Sequence, residues 1–220
     1  MSEIIEEFFQ GYCRACDMAR TAVGEFRLED KKLVLDQIDC DYGTCIHREN
    51  CQMMKQVFAF MEQENEKRRE QNMLKIRDIR EEDREIFFEM AKDFYGGPAC
   101  DHEIPQKHFE DTLRECLRSR EYSRTLILED ETGVAGYFLL AITWSNEAGG
   151  MVIWLDELYF KPEYRGKGYG TQAFAWVEQE YPDAKRFRLE ATYSNERAIS
   201  LYRKLGYEEL NYYQMIKDRK

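Results

Sequence analysis

A nine-residue stretch, Pro162-Glu163-Tyr164-Arg165-Gly166-Lys167-Gly168-Tyr169-Gly170, constrains this chain more than any other segment. It stands between an apolar run, residues 151–160, and a segment in which Phe174, Val177 and Tyr181 share one helical face before Pro182 stops it. Glycines at alternate positions let backbone N–H groups come close to an anion. The helix behind them adds its unbonded first-turn N–H groups and the positive end of its dipole. Strand, glycine loop and helix in that order predict an α/β domain able to hold a pyrophosphate. The Walker loop is excluded, because no Gly-Lys-Ser/Thr ends the segment. A relaxed dinucleotide fingerprint fits Gly168, Gly170 and Ala173 with Glu190 downstream. Seven residues separate Phe160 from Gly168, however, where that fingerprint needs a tight turn straight off the strand.

The surrounding pattern alternates strand and helix. Residues 74–79 alternate as a strand does, and Glu81, Glu82 and Asp83 open an amphipathic helix through Ile86, Phe87, Met90 and Phe94 that Gly96-Gly97-Pro98 breaks. A second helix is expected over 105–118, strands over 124–128 and 134–143 around a Gly133 turn, and a third strand over 151–160. A helix over 168–181, a strand over 186–192, a helix over 195–205 closed by Gly206 and a strand over 208–216 complete the prediction.

Five of the seven cysteines, Cys13, Cys16, Cys40, Cys45 and Cys51, fall in the first quarter of the chain, and only Cys100 and Cys116 lie beyond it. That asymmetry sets a cysteine-rich domain at 1–71 apart from the domain at 72–220. The head reads as a helix over about 3–21, a hairpin over 26–38 turning at Glu29-Asp30-Lys31-Lys32, and a helix from about Asn50. The mixed-charge stretch 62–71 has no Pro or Gly and continues that helix. Cys13-x-x-Cys16 offers one thiolate pair and the other three cysteines further ligands. Tetrahedral zinc on four of the five is the leading reading, and an iron–sulfur cluster or reduced, unliganded thiols stay open.

Hydrophobic residues at 43% supply a core, while a net charge of −11 opposes contact with a nucleic-acid backbone. No apolar run is long enough to span a bilayer as a helix and the first residues are not a signal peptide, so a cytoplasmic protein is expected.

The loop and its flanks resemble the GNAT acetyltransferase superfamily, whose pyrophosphate signature Gln/Arg-x-x-Gly-x-Gly/Ala is met by Arg165, Gly168 and Gly170. Trp154 to Phe160 is similar to its fourth strand; Arg188-Leu189-Glu190 and the segment Asn195 to Tyr207 are similar to its fifth strand and last helix. The resemblance, over about 73–220, implies a mixed, mostly antiparallel sheet flanked by helices, here preceded by the cysteine-rich helical and hairpin domain. It also implies an N-acetyltransferase carrying acetyl from acetyl-CoA to a small-molecule or peptide amine. Leu158, Tyr159 and Phe160 then bind the pantetheine arm, and Arg165, Gly166, Lys167, Gly168, Tyr169 and Gly170 bind the pyrophosphate. Asn195 hydrogen-bonds the arm and Tyr202 protonates the leaving thiolate. The alternatives for these two are an N-cap and a core aromatic.

An ammonium must lose a proton before it attacks, and Glu157 is the first candidate for that base, ahead of Glu190 and Asp156. A role in binding the ammonium stands beside it. In an unbroken strand Ile153, Leu155, Glu157 and Tyr159 share a face, a parity that a bulge would disturb. His102 and His108, near the second helix, are expected at the acceptor side or in solvent. A different class, an acyl-CoA sensor coupled to the metal-binding head, remains open, as does a homodimer built through that head.

Overall fold

The computed structural model describes residues 4–29, 31–97 and 104–217, so the readings placed on Asp30, Pro98, Cys100 and His102 fall outside the described residues. The chain divides into two compact units, Met1–Asn72 and Met73–Lys220.

The first unit is a three-stranded antiparallel sheet, β1 (Ile5–Cys13), β2 (Met18–Glu29) and β3 (Lys32–Ile38), followed by the helix α1 (Gln52–Gln71). The helix expected over 3–21 is a hairpin instead. Ile5 and Phe9 are four apart and mimic a helical repeat, but the segment is rich in the β-branched and aromatic residues that favour strands. Asp17, at φ +53°, takes the left-handed position that lets the chain reverse after Cys16. Phe9, Phe26 and Leu33 line the inner face and pack on Met54 and Val57 of α1. The Asn65 amide accepts from the Leu33 N–H (2.7 Å) and donates to the Leu33 carbonyl (3.0 Å), which fastens α1 to β3. The β2–β3 hairpin pairs Glu29 with Lys32 as the sequence predicts, and α1 runs through the charged stretch to Gln71.

The second unit is a five-stranded sheet in the order β4 (Lys75–Asp78), β5 (Ser123–Asp130), β6 (Gly133–Ser145), β7 (Gly150–Phe160) and β8 (Arg186–Leu189). All neighbours are antiparallel except β7 and β8, which run parallel. Helices α2 (Arg84–Gly96) and α3 (Gln106–Arg118) cover one face, where Phe87, Phe109 and Leu113 meet Ile127, Tyr137 and Leu139. Helices α4 (Tyr169–Glu180) and α5 (Glu196–Lys204) belong to the other face, where Phe174 and Val177 meet Phe138, Leu140 and Ile153.

One expectation fails here. Residues 208–216 form no strand, and Tyr213, Met215 and Ile216 are exposed. Alternation makes a strand only where a sheet edge receives it, and the four-residue β8, shorter than the 186–192 expected, offers few ladder groups. The parity of an unbroken β7 does not apply, because the strand carries the bulge that disturbs it. Leu139 pairs with Glu157 and Leu140 with Leu155, so Asp156 is an extra residue in β7, a bulge. Leu155 packs on the α4 face, while Tyr159 packs on the α2 face and Glu157 bonds Tyr137 there. Ile153 and Leu155 therefore do not share a face with Glu157 and Tyr159.

Candidate active site

The pairing of β7 with β8 runs from Val152 opposite Arg186 to Leu155 opposite Leu189 and stops, while β7 continues on β6 to Phe160. From Asp156 onward one edge of β7 is released from the parallel ladder. The release begins at the bulge, which breaks the spacing of backbone groups that a parallel partner would need.

A single turn of 3-10 helix, Pro162–Tyr164, leads from β7 into the glycine loop. Gly166 (φ +83°) and Gly168 (φ +86°) both adopt the left-handed conformation that side chains resist, and Gly168 is the N-cap of α4. The first-turn N–H groups of α4 thus open at the loop. The Arg165 Nε–H donates to the Phe160 carbonyl (2.8 Å), and its guanidinium lies 5.6 Å from the Tyr159 ring centre, so Arg165 braces the turn. Lys167 stands over the Tyr164 ring and 3.7 Å from Asp130. Tyr169 is buried and donates to the same Asp130 carboxylate (2.8 Å); burial and that bond push its phenol far up. Lys167 and Tyr169 therefore anchor the loop to the β5–β6 turn. A Cβ at Gly166 would lie 3.6 Å from the Arg197 guanidinium of α5, a cation at the loop that the sequence reading missed.

Glu157 is only 7% exposed, and both its oxygens are engaged. The Tyr137 hydroxyl donates to Oε2 (2.5 Å), and the Tyr95 hydroxyl, on the last turn of α2, donates to Oε1. Burial raises the Glu157 carboxyl above the usual glutamate range, and the two phenols pull against that rise. Next to it Tyr159 donates to Asp93 of α2, and its phenol is pushed up to about 12 by burial first and then by that bond. Burial, with the charge of Glu190 second, raises Asp156. Glu157, Asp156, Asp93 and Glu190 make this end of the sheet acidic. Tyr95, Tyr137 and Asp93 were not singled out in the sequence: Tyr137 is one aromatic in an apolar run, and nothing in its spacing marks a polar role.

On the opposite face the Tyr202 ring packs against Phe174 (5.5 Å between ring centres) and Tyr207 (6.2 Å). Burial raises its phenol, so the hydroxyl stays protonated near neutral pH. Asn195 is the N-cap of α5, its Oδ1 accepting from the Ala198 N–H (3.3 Å), as the structural alternative had it. His108 lies exposed on α3.

In the first unit Cys13, Cys45, His47 and Cys51 line one small pocket. Among the described residues, however, no three His, Cys, Asp or Glu side chains come together as a metal ion requires, and the expectation of zinc on Cys13, Cys16, Cys40, Cys45 and Cys51 finds no support. The backbone at Cys16 holds the Cys13 thiol below its ordinary value, while burial raises that of Cys40. Among the described residues no helix is long and apolar enough to cross a membrane.

Comparison with known proteins agrees with this architecture. Thialysine N-epsilon-acetyltransferase of Sus scrofa is 35% identical over 80 residues, 36% of this chain and 45% of the relative. The uncharacterized protein YrkN of Bacillus subtilis is 30% identical over 88 residues, 40% of this chain and again 45% of that protein. The matches thus span less than half the length of these curated relatives. Among solved structures, AAC(6′)-Iy in complex with the bisubstrate analog CoA-S-monomethyl-acetylneamine superposes with a TM-score of 0.56 at 17% identity, covering 67% of this chain and 99% of its own. The ribosomal-protein-alanine N-acetyltransferase of Brucella melitensis gives 0.52 at 13% identity, covering 67% and 100%. Likeness at that identity speaks for the fold alone. The sequence profile of the acetyltransferase (GNAT) family matches residues 76–207, more than half of the chain and every element from β4 to α5. A glycine loop at the N-terminus of α4, beside a strand released from its parallel neighbour, is thus carried here by a member of the GNAT acetyltransferase family.

Proposed function

We propose that the chain transfers an acetyl group from acetyl-CoA to a primary amine. The observation that carries this reading is the released edge of β7 running directly into the loop of Gly166 and Gly168. Backbone groups of Leu158, Tyr159 and Phe160 then receive the pantetheine arm, and the N–H groups from Arg165 to Gly170 receive the pyrophosphate. Acetyl-CoA supplies an already activated thioester, so alignment of the amine with the carbonyl carbon accounts for much of the rate. A β7 N–H near Glu157 polarises the carbonyl oxygen.

Glu157 takes the proton from the acceptor ammonium, directly or through water. The amine nitrogen bonds to the acetyl carbon and sheds its second proton to water, the carbon–sulfur bond breaks, and Tyr202 gives its proton to the departing thiolate and regains one from solvent. A carboxyl raised by burial is better matched to this work near neutral pH than an ordinary glutamate. Activity rises with pH as Glu157 loses its proton, and the acidic limb therefore lies above the usual glutamate range. The acidic cluster favours cationic acceptors: small amines such as thialysine, polyamines or aminoglycosides, or a protein amino group.

The test is chromatographic measurement of acetylated product over a panel of those amines, with Glu157→Gln and Tyr202→Phe beside the parent protein. Each variant is expected to lose about 100-fold or more in kcat while binding acetyl-CoA as before. Undiminished turnover in both would remove the assigned roles. Tight CoA binding without transfer to any amine would favour a sensor.

A further inference from the structure

Glu157 does not meet solvent freely. Its Oε2 is bonded by Tyr137, which is 0% exposed, stands edge-on to Phe87 (5.2 Å between ring centres) and stacks on Tyr159 (5.9 Å). Its Oε1 is bonded by Tyr95, which is only partly buried, on the last turn of α2, and stacks on Phe109 of α3 (5.8 Å). The attachment is reciprocal: α2 sends Tyr95 to the carboxylate of β7, and β7 sends Tyr159 to the carboxylate of Asp93 on α2. Two crossed phenol–carboxylate bonds thus hold the end of α2 against the released part of β7.

We infer that Tyr137 and Tyr95 are positioning residues that fix Glu157 in one orientation, Oε2 locked in the core and Oε1 turned toward the acceptor. This rests on the reading of Glu157 as the base. A buried carboxylate without donors would either take up a proton or rotate away from the reacting nitrogen. Tyr137 cannot yield its bond without opening the α2–α3 face of the core. Oε1 is therefore the oxygen whose partner can be exchanged for water or for the acceptor ammonium, and Tyr95 is the group that gives way. The other groups acting on this carboxylate fit the same picture. Asp156, from the bulge, raises it; Asp93, from α2, is occupied by Tyr159; and α3 presents the Phe109 ring behind Tyr95.

Glu157 is followed by carbon NMR in uniformly labelled full-length protein, assigned by comparison with Glu157→Gln, so that no acceptor need be known. In parallel, pH profiles of kcat/KM are recorded with thialysine or the fastest amine of the panel. Removing either phenol, in Tyr137→Phe or Tyr95→Phe, is expected to raise the carboxyl titration and move the acidic limb upward by about half to one pH unit. Turnover at neutral pH falls about 3- to 10-fold, and the KM for acetyl-CoA stays unchanged. In the Glu157→Gln background the same phenol removals cost nothing further, because the group they position is gone. Should Tyr137→Phe prove too unstable to assay, Tyr95→Phe carries the test alone, with CoA binding confirming its fold. A carboxyl titration and limb unmoved in the assayable phenol variants, while Glu157→Gln abolishes turnover, would overturn the positioning role. An acidic limb that survives Glu157→Gln would instead overturn the base itself, and with it this inference.

Discussion

Arg124 joins β5 to both β4 and α4, and replacing it with alanine tests how the second unit is tied together. The residue is 6% exposed. Its guanidinium bonds Asp78 of β4 (2.6 Å), Glu180 of α4 (2.8 Å) and the Tyr181 hydroxyl (3.2 Å), and lies 5.4 Å from the centre of the Trp176 ring. Asp78 and Glu180 keep 34% and 39% of their side-chain exposure, so both can rehydrate when Arg124 is removed, and the penalty stays below that of a stranded buried charge. A charge-assisted hydrogen-bond set on a buried donor, plus the packing of the arginine stem on Trp176, gives a loss of about 2–4 kcal/mol.

Urea unfolding followed by tryptophan emission reports this unit alone, because Trp144, Trp154 and Trp176 all lie within it. Far-ultraviolet circular dichroism guards against a change in the Trp176 baseline. The control is Arg114→Ala, whose ion pair with Asp111 is equally short (2.8 Å) but lies on the exposed face of α3, and whose midpoint is expected not to move. If both substitutions shift the midpoint alike, or neither does, burial does not decide what these pairs contribute, and the reasoning fails.

Two further outcomes follow from the loop. Gly168→Ala places a side chain at φ +86°, which costs about 1–2 kcal/mol and bends the entry to α4, so CoA measured by calorimetry is expected to bind about tenfold more weakly; equal binding would mean that the N-cap geometry does not shape the anion site. Arg197→Ala removes the cation over Gly166, and CoA affinity is expected to fall about 5-fold at low salt with the difference closing as salt rises. A salt-independent loss would point to packing instead of charge.

The second unit was largely legible because its signals are local. Glycines at 166 and 168, the acidic start of α2 and the four-residue rhythm of Phe109 and Leu113 each constrain the backbone around them, and the elements form where they were placed. The hairpin of β1 and β2 was not legible, since Ile5, Phe9 and Cys13 fit a helical stripe as well as a strand, and only the pairing of Phe9 with Ala22 decides between them. The strand expected over 208–216 failed for the converse reason: its pattern was right for a strand, but no partner ladder forms among the described residues. Of the candidate site, Glu157 and the loop were readable from type and position. The phenols that hold Glu157 were not, because Tyr95 and Tyr137 lie 62 and 20 residues away in sequence and meet it only through the fold. The cysteines of the first unit carried a spacing that suggested a metal, whereas among the described residues no three ligand side chains converge as a metal ion requires.

The extra residue at Asp156 works as a frame shift written into one strand. Before it, β7 keeps time with the hydrophobic layer under α4; after it, the same strand keeps the opposite time and turns a carboxylate to the side where Tyr137 and Tyr95 wait. Were Asp156 taken into the regular alternation instead of standing out as a bulge, every later side chain of β7 would fall on the wrong side of the sheet. The reactive end of this protein thus depends on a count as much as on any residue's chemistry.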